Sequence, residues 1–325
     1  MRRIAVINQK GGVGKTTTCA NLGAALARAG RRVALIDLDP QANLSMHVGV
    51  EADAGECSTY AVLLGDLPLA DALRETSTPG LSIVPSHIDL SGAELELASA
   101  IGRETILRDA VQRWEADGRA TTGSAPADYV LFDCPPSLGL LSINALAAAR
   151  EVLITLQTEF FALQGMSKLV EIVALLRRRM NPELAITGIL PCLYDSRLKL
   201  AREVLGEIRT YFPEQVFRTA IRTNVKLAEA PSYGQTIFEY APTSRGARDH
   251  DLLAAEVMQR EAEDPELAAL PRTKAGDGGV ITPPGRGGRA PRASAPARAP
   301  EIVRARDLPA LPREVFGART PPSAE

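Results

Sequence analysis

The segment Lys10-Gly11-Gly12-Val13-Gly14-Lys15-Thr16-Thr17 constrains this chain more than any other. It lies between an apolar run, Ile4–Asn8, and a helical pattern that opens near Thr16 and reaches Ala29. A turn this rich in glycine exposes consecutive backbone N–H groups, and a helix N-terminus behind it adds positive potential. Strand, loop and helix together form a cradle for phosphate. Lys15 has the reach to meet β- and γ-phosphates, and the Thr16 hydroxyl suits Mg²⁺. The ordinary spacing G-x-x-x-x-G-K-[ST] requires glycine at position 9, where Gln9 stands, and a second lysine, Lys10, opens the loop instead.

The rest of the chain supplies the framework such a loop needs. Further strand candidates are Val33–Asp37, Leu81–Pro85, Tyr129–Asp133, Val152–Gln157, Ile186–Pro191 and, with a weaker pattern, Val216–Ile221. Most are apolar at consecutive positions, as in parallel strands covered on both faces. Helical patterns alternate with them at Glu104–Trp114, Leu163–Met180, Leu198–Tyr211 and Asp249–Glu263, and residues 117–127 read as a surface loop. The expected fold is a doubly wound α/β domain, mostly parallel, with helices on both faces.

That domain is expected to occupy residues 1–263. Residues 264–325 hold 11 of the 23 prolines, 7 glycines and one aromatic, Phe316, too little apolar material to offset ordering entropy, so a disordered tail is expected. Its Pro309-Ala310-Leu311-Pro312 stretch could dock a tail-binding partner as a polyproline segment, but its composition favours an unstructured linker with no partner. Pro309 and Pro312 interrupt the weak apolar pattern Ile302–Phe316, which argues against a membrane-targeting helix. No apolar stretch reaches membrane-spanning length, and the N-terminus shows no signal-peptide pattern, so a cytoplasmic protein is expected. Four scattered cysteines without a C-x-x-C pair disfavour zinc or a disulfide framework. The net charge of -2 excludes a wholly basic nucleic-acid binder.

Two strands end in carboxylates. Val33–Asp37 runs into Asp37-Leu38-Asp39-Pro40-Gln41, and alternation along an extended chain would turn Asp37 and Asp39 to one side. Tyr129–Asp133 runs into Asp133-Cys134-Pro135-Pro136-Ser137, a Walker B arrangement in which Asp133 holds Mg²⁺ through water. Ligands of open α/β sheets sit at the carboxyl ends of strands, so these groups should face the phosphate loop. Cys134 reads as a packed thiol. Nothing indicates a phosphate acceptor other than water.

The loop with its extra lysine resembles the deviant Walker A ATPases, the ParA/MinD group. That resemblance implies ATP and Mg²⁺ as cofactors and a homodimer formed on ATP binding, in which Lys10 crosses to the partner's nucleotide and monomers hydrolyse slowly. It implies that Asp39 orients the attacking water, making Lys10, Lys15 and Asp39 the catalytic set, and that Asp37 supports the Mg²⁺ shell with Thr16 and Asp133. Pro191–Arg197 and Asn224–Gly234 are similar to chromosome-partitioning ParA proteins of the short Soj type. By that likeness Arg197 and Lys226 bind double-stranded DNA without sequence preference, with Arg222 beside them, and Pro231 and Ser232 line the adenine pocket. Arg222-Thr223 departs from the branch, where proline followed by arginine is usual.

Charge gives independent support for a DNA surface, because residues 197–226 carry seven cations against three acidic residues. From charge alone, an ordinary solvated helix face remains the other reading. Because the loop begins by residue 10, no N-terminal helix-turn-helix is expected. The resemblance implies a nucleoid-associated partitioning ATPase released when a ParB-like centromere-binding protein stimulates hydrolysis. The alternatives are a MinD-like or polar-positioning ATPase that localises a protein assembly or division machinery, and a metal or cofactor chaperone.

Overall fold

The structure is a computed structural model that describes residues 1–53, 57–123, 125–159 and 162–263. The disordered-tail expectation for 264–325 lies outside the described residues. Among the described residues, β1 (Arg2–Ile7), β2 (Val33–Asp37), β3 (Arg74–Glu75), β4 (Leu81–Val84), β5 (Tyr129–Asp133), β6 (Glu151–Gln157) and β7 (Ala185–Cys192) form one sheet in the order β3-β4-β2-β5-β1-β6-β7. All neighbours pair in parallel except the β3–β4 edge. The doubly wound expectation holds.

Pleating explains why both faces are apolar. Along β1, Ile4 and Val6 enter one buried cluster while Ala5 and Ile7 enter the other. The first cluster is closed by the helices Lys15–Arg28 and Arg245–Glu263, the second by Ile106–Thr122, Leu140–Ala148, Ala162–Arg179 and Lys199–Tyr211. At the amino ends of the strands, Arg2 makes a two-pronged bond to Glu151 (2.7 and 2.6 Å) and donates to the Val257 carbonyl. The Tyr129 hydroxyl donates to Glu261 in the same buried group, which fixes the last helix against the sheet.

Three sequence expectations need correction. Residues 117–122 are the last turns of the helix Ile106–Thr122, not loop. Gly118 does not break that helix; a Cβ there would meet Pro126 Cδ at 2.7 Å, so glycine admits the returning chain. Gly123, at φ 73°, ends it. Val216–Ile221 forms no strand beside β7, only isolated bridges at Val216 and Arg222. The Arg218 and Thr219 N–H groups donate instead to the Glu256 carboxylate, at 2.9 and 3.0 Å, and interrupt the ladder. Asp37 and Asp39 are not alternate positions of one strand, because β2 stops at Asp37 and the Asp39 N–H turns back onto Asp37 Oδ1 at 3.1 Å.

Candidate nucleotide site

β1 and β2 flank β5, so their carboxyl ends gather the phosphate loop, Asp37 and Asp133 at one edge of the sheet; Asp37 and Asp133 are register partners. Gly14 caps the helix Lys15–Arg28 at φ 88° and ψ 22°, a left-handed conformation that glycine adopts without steric penalty. No side chain caps that helix and no acidic residue stands in its first turn. Its first intrahelical bond runs from the Thr18 N–H to the Gly14 carbonyl at 2.9 Å. The N–H groups before Thr18 therefore remain for an anion. Asn8 shapes the loop entry: its Oδ1 accepts from the Lys10 N–H at 2.9 Å and its amide donates to the Thr155 carbonyl.

In front of this loop lies a cleft of about 1020 Å³, the size of a nucleotide-class site. Gly11, Gly12, Gly14, Lys15, Thr16 and Thr17 form its floor, with Asp39 on one wall and Pro135, Pro136 and Ser137 on another. Pro231 and Ser232 line the far side, as does Arg222. Val13 is buried under the loop as an anchor. The Lys15 ammonium, itself buried, lies 3.4 Å from the Lys10 carbonyl. Lys10 turns outward, with Nζ 2.5 Å from Glu159 Oε2 and 3.1 Å from Gln157 Oε1.

The two buried aspartates differ in how they are satisfied. Asp37 Oδ2 accepts from both the N–H and the hydroxyl of Ser45, at 2.9 and 2.7 Å, while Oδ1 accepts from Asp39. Burial nevertheless lifts its pKa to about 6. Asp133 is completely buried, and neither carboxylate oxygen has a hydrogen-bond partner in the structure. Burial first, and the charge of Asp37 second, push it up to about 8; the Thr16 hydroxyl and Lys15 ammonium act in the opposite sense without meeting hydrogen-bond geometry. An orphaned buried carboxylate is costly unless something pairs with it. A divalent cation held between Asp133 and the Thr16 hydroxyl is the donor chemistry this arrangement fits.

Ser45, Asn8, Glu159 and Gln157 were not found by sequence reasoning. Asn8 carried a local signal, a polar residue closing an apolar run. Ser45 lies eight residues from Asp37 and Glu159 lies 149 from Lys10, distances at which only the fold makes the contact. Two non-glycine residues near the cleft adopt left-handed backbone, Ala42 (φ 52°) and Leu193 (φ 51°), strain that tends to gather at functional sites. Cys134 is buried and burial drives its thiol upward, consistent with a packed thiol.

The cations expected on the DNA surface lie outside the cleft, apart from Arg222. Arg197 is 87% exposed and pairs with Asp195; Lys226 pairs with Glu229. Arg222 makes a two-pronged bond to the buried Asp249. The excess of seven cations over three acids thus omits carboxylates just beyond the window. Among the described residues no helix is long and apolar enough to cross a membrane, and no group of three or more metal-ligating side chains occurs.

The AAA domain family matches residues 1–186. The chromosome partitioning protein ParA of Caulobacter vibrioides is 42% identical over 269 residues, 83% of this chain and 98% of the relative. The sporulation initiation inhibitor protein Soj of Bacillus subtilis is 44% identical (78% and 97%), and the chromosome-partitioning ATPase Soj of Thermus thermophilus is 46% identical (81% and 98%). Among solved structures, cobyrinic acid a,c-diamide synthase of Mycobacterium smegmatis with bound ATP analogue and magnesium superimposes with TM-score 0.67 at 36% identity, covering 80% of this chain and 95% of that one. The septum site-determining protein MinD of Pyrococcus horikoshii, complexed with Mg-ADP, gives 0.62 at 28% identity (82% and 97%). With the phosphate loop, its second lysine and the two strand-end carboxylates in place, the chain belongs to the ParA/Soj family of chromosome-partitioning ATPases.

Proposed function

We infer that the protein is an ATP-switched partitioning ATPase that hydrolyses ATP to ADP and phosphate slowly, dimerises around ATP and binds duplex DNA without sequence preference. A ParB-like centromere-binding protein stimulates hydrolysis and releases it, and its place is the cytoplasm, on the nucleoid. The observation that carries this reading is the cleft, lined by an uncapped helix N-terminus, Lys15, Thr16 and Asp39, with the orphaned Asp133 buried behind that lining. Identity of 42% and 46% to two proteins named for chromosome partitioning, against 36% to the diamide synthase, weights the reading towards partitioning. Residues 1–263 form the ATPase domain in this account.

Triphosphate would sit against the N–H groups of the loop, with the Lys15 ammonium on its β- and γ-oxygens. Thr16 and Asp133 would hold Mg²⁺, with Asp37 adding support through Oδ1, since its Oδ2 is already committed to Ser45. Bound there, Mg²⁺ neutralises phosphate charge. Asp39, less buried than Asp37, would orient water near the γ-phosphate, and Pro231 and Ser232, which line the cleft, would contact the base. Lys10, already at the protein surface, is free to reach a second copy once it leaves Glu159. Phosphoryl transfer of this kind rests on positioning and charge stabilisation.

The test is duplex binding and liposome binding measured side by side, with ATP, with ADP and without nucleotide. Salt-sensitive duplex binding that requires ATP supports partitioning. ATP-dependent liposome binding without duplex binding supports the MinD-like positioning reading and refutes this one.

A further inference from the structure

Resting on the DNA-binding reading, we propose that Asp195 and Glu229 are built-in counterions that occupy Arg197 and Lys226 and thereby set how tightly the protein holds duplex DNA. They are positioning residues: phosphate must displace them before either cation is available.

The pairs are built rather than incidental. Arg197 donates to Asp195 from Nε (2.9 Å) and from Nη2 (2.7 Å), filling the same fork a phosphate would use. Asp195 is itself fixed, because its Oδ1 also accepts from the Arg197 backbone N–H at 3.0 Å. The side-chain bond from Arg197 draws its carboxyl down to about 2. Lys226 Nζ lies 2.8 Å from Glu229 Oε2, and that same oxygen accepts from the Tyr240 hydroxyl at 2.7 Å. Tyr240 stacks on Tyr233 with ring centroids 4.9 Å apart, and the Lys226 ammonium sits 5.4 Å from the Tyr240 centroid. Tyr233 directly follows Ser232 on the wall of the nucleotide cleft.

Counting from 195 to 229 instead of 197 to 226 adds two carboxylates and no cation, leaving seven cations against five acids. The excess is therefore two cations rather than four, and both cations assigned to phosphate are already paired. The Arg222–Asp249 pair is of another kind, because Asp249 is buried and its loss would strand Arg222 at the cleft. When phosphate takes a cation from a half-buried carboxylate such as Asp195 or Glu229, the freed carboxylate takes up a cation from solution. That uptake offsets part of the counterion release that drives binding.

The test compares Asp195→Asn, Glu229→Gln and their double variant with Arg197→Ala and Lys226→Ala. Asparagine and glutamine keep the acceptors used by the Arg197 N–H and the Tyr240 hydroxyl while removing charge. Binding to a short fluorescent duplex is followed by anisotropy with Mg²⁺ and a slowly hydrolysed ATP analogue across a salt series. The expected result is tighter binding at low salt, by up to about fivefold per variant. The slope of log affinity against log salt should steepen by up to about 0.9 for each variant and about 1.8 for the double. If the alanine variants weaken binding but the neutralised carboxylates leave affinity and slope unchanged, or weaken them, the inference is overturned and the DNA reading stands. If the alanine variants also change nothing, the DNA reading itself fails and takes the inference with it.

Discussion

Replacing Asp133 with asparagine should make the empty protein more stable while removing its response to magnesium. In the folded, nucleotide-free protein burial raises the Asp133 carboxyl to about 8 against an ordinary 3.8. At pH 7 it therefore carries a proton that the unfolded chain has released, at a cost of about 4 kcal/mol from 1.36 kcal/mol per pH unit. The asparagine side chain would avoid that cost, but its amide N–H groups would be buried without acceptors, at a cost of roughly 1–3 kcal/mol. A net gain of about 1–3 kcal/mol remains, which moves the melting temperature of a domain this size by roughly 2–10 °C. The sign with pH follows from the raised carboxyl: the penalty is absent near pH 4 and grows as pH rises towards 8, so the variant's advantage should widen over that window. Differential scanning calorimetry of both proteins, without nucleotide and with Mg²⁺ and ATP analogue, measures all of this. The reasoning is refuted if Asp133→Asn is less stable than the parent without ligand, or if its advantage does not grow with pH.

Three further outcomes are expected. Asp39→Ala should keep nucleotide affinity and lose hydrolysis by about 100-fold or more, read by steady-state phosphate release, because positioned acid–base groups contribute on that scale. Gly49→Ala should destabilise the fold by roughly 2–3 kcal/mol in urea titration, from a left-handed residue at φ 70° and a Cβ only 2.8 Å from the Gly234 carbonyl oxygen. Burial holds His47 and His250 at about 4 against an ordinary 6.5; both are neutral in the fold, so each contributes stability above pH 6.5 that is lost as pH falls towards 4, up to about 3 kcal/mol. The stability gap between the parent and His250→Leu should accordingly narrow over that range, and a gap independent of pH would contradict the assignment.

The phosphate loop and both strand-end aspartates were legible because each depends on residues adjacent in sequence: glycine torsions, an apolar run, a terminal carboxylate. The doubly wound sheet was legible for the same reason, since consecutive apolar strands alternate with helices. What escaped depends on contacts that only folding makes. Glu256 captures the N–H groups of Arg218 and Thr219 and dissolves an expected strand. Pro126 packs over Gly118, so a glycine within a segment that reads as loop is a packing device inside a helix. Asp195 and Glu229, by contrast, lie only two and three residues from their cations and were missed because the basic window stopped short of them, so the charge count overstated the patch. Likewise, the family resemblance implies that Asp37 supports the magnesium shell, but Ser45 claims one of its oxygens.

The most direct test of the account is the mass of the protein in solution by analytical ultracentrifugation, with Mg²⁺ and a slowly hydrolysed ATP analogue, for the parent, Lys10→Ala and Lys15→Ala. The account predicts a dimer for the parent with the analogue, a monomer without it, and monomers for both variants. A parent that stays monomeric with the analogue bound, or a Lys10→Ala variant that dimerises as well as the parent, would contradict it.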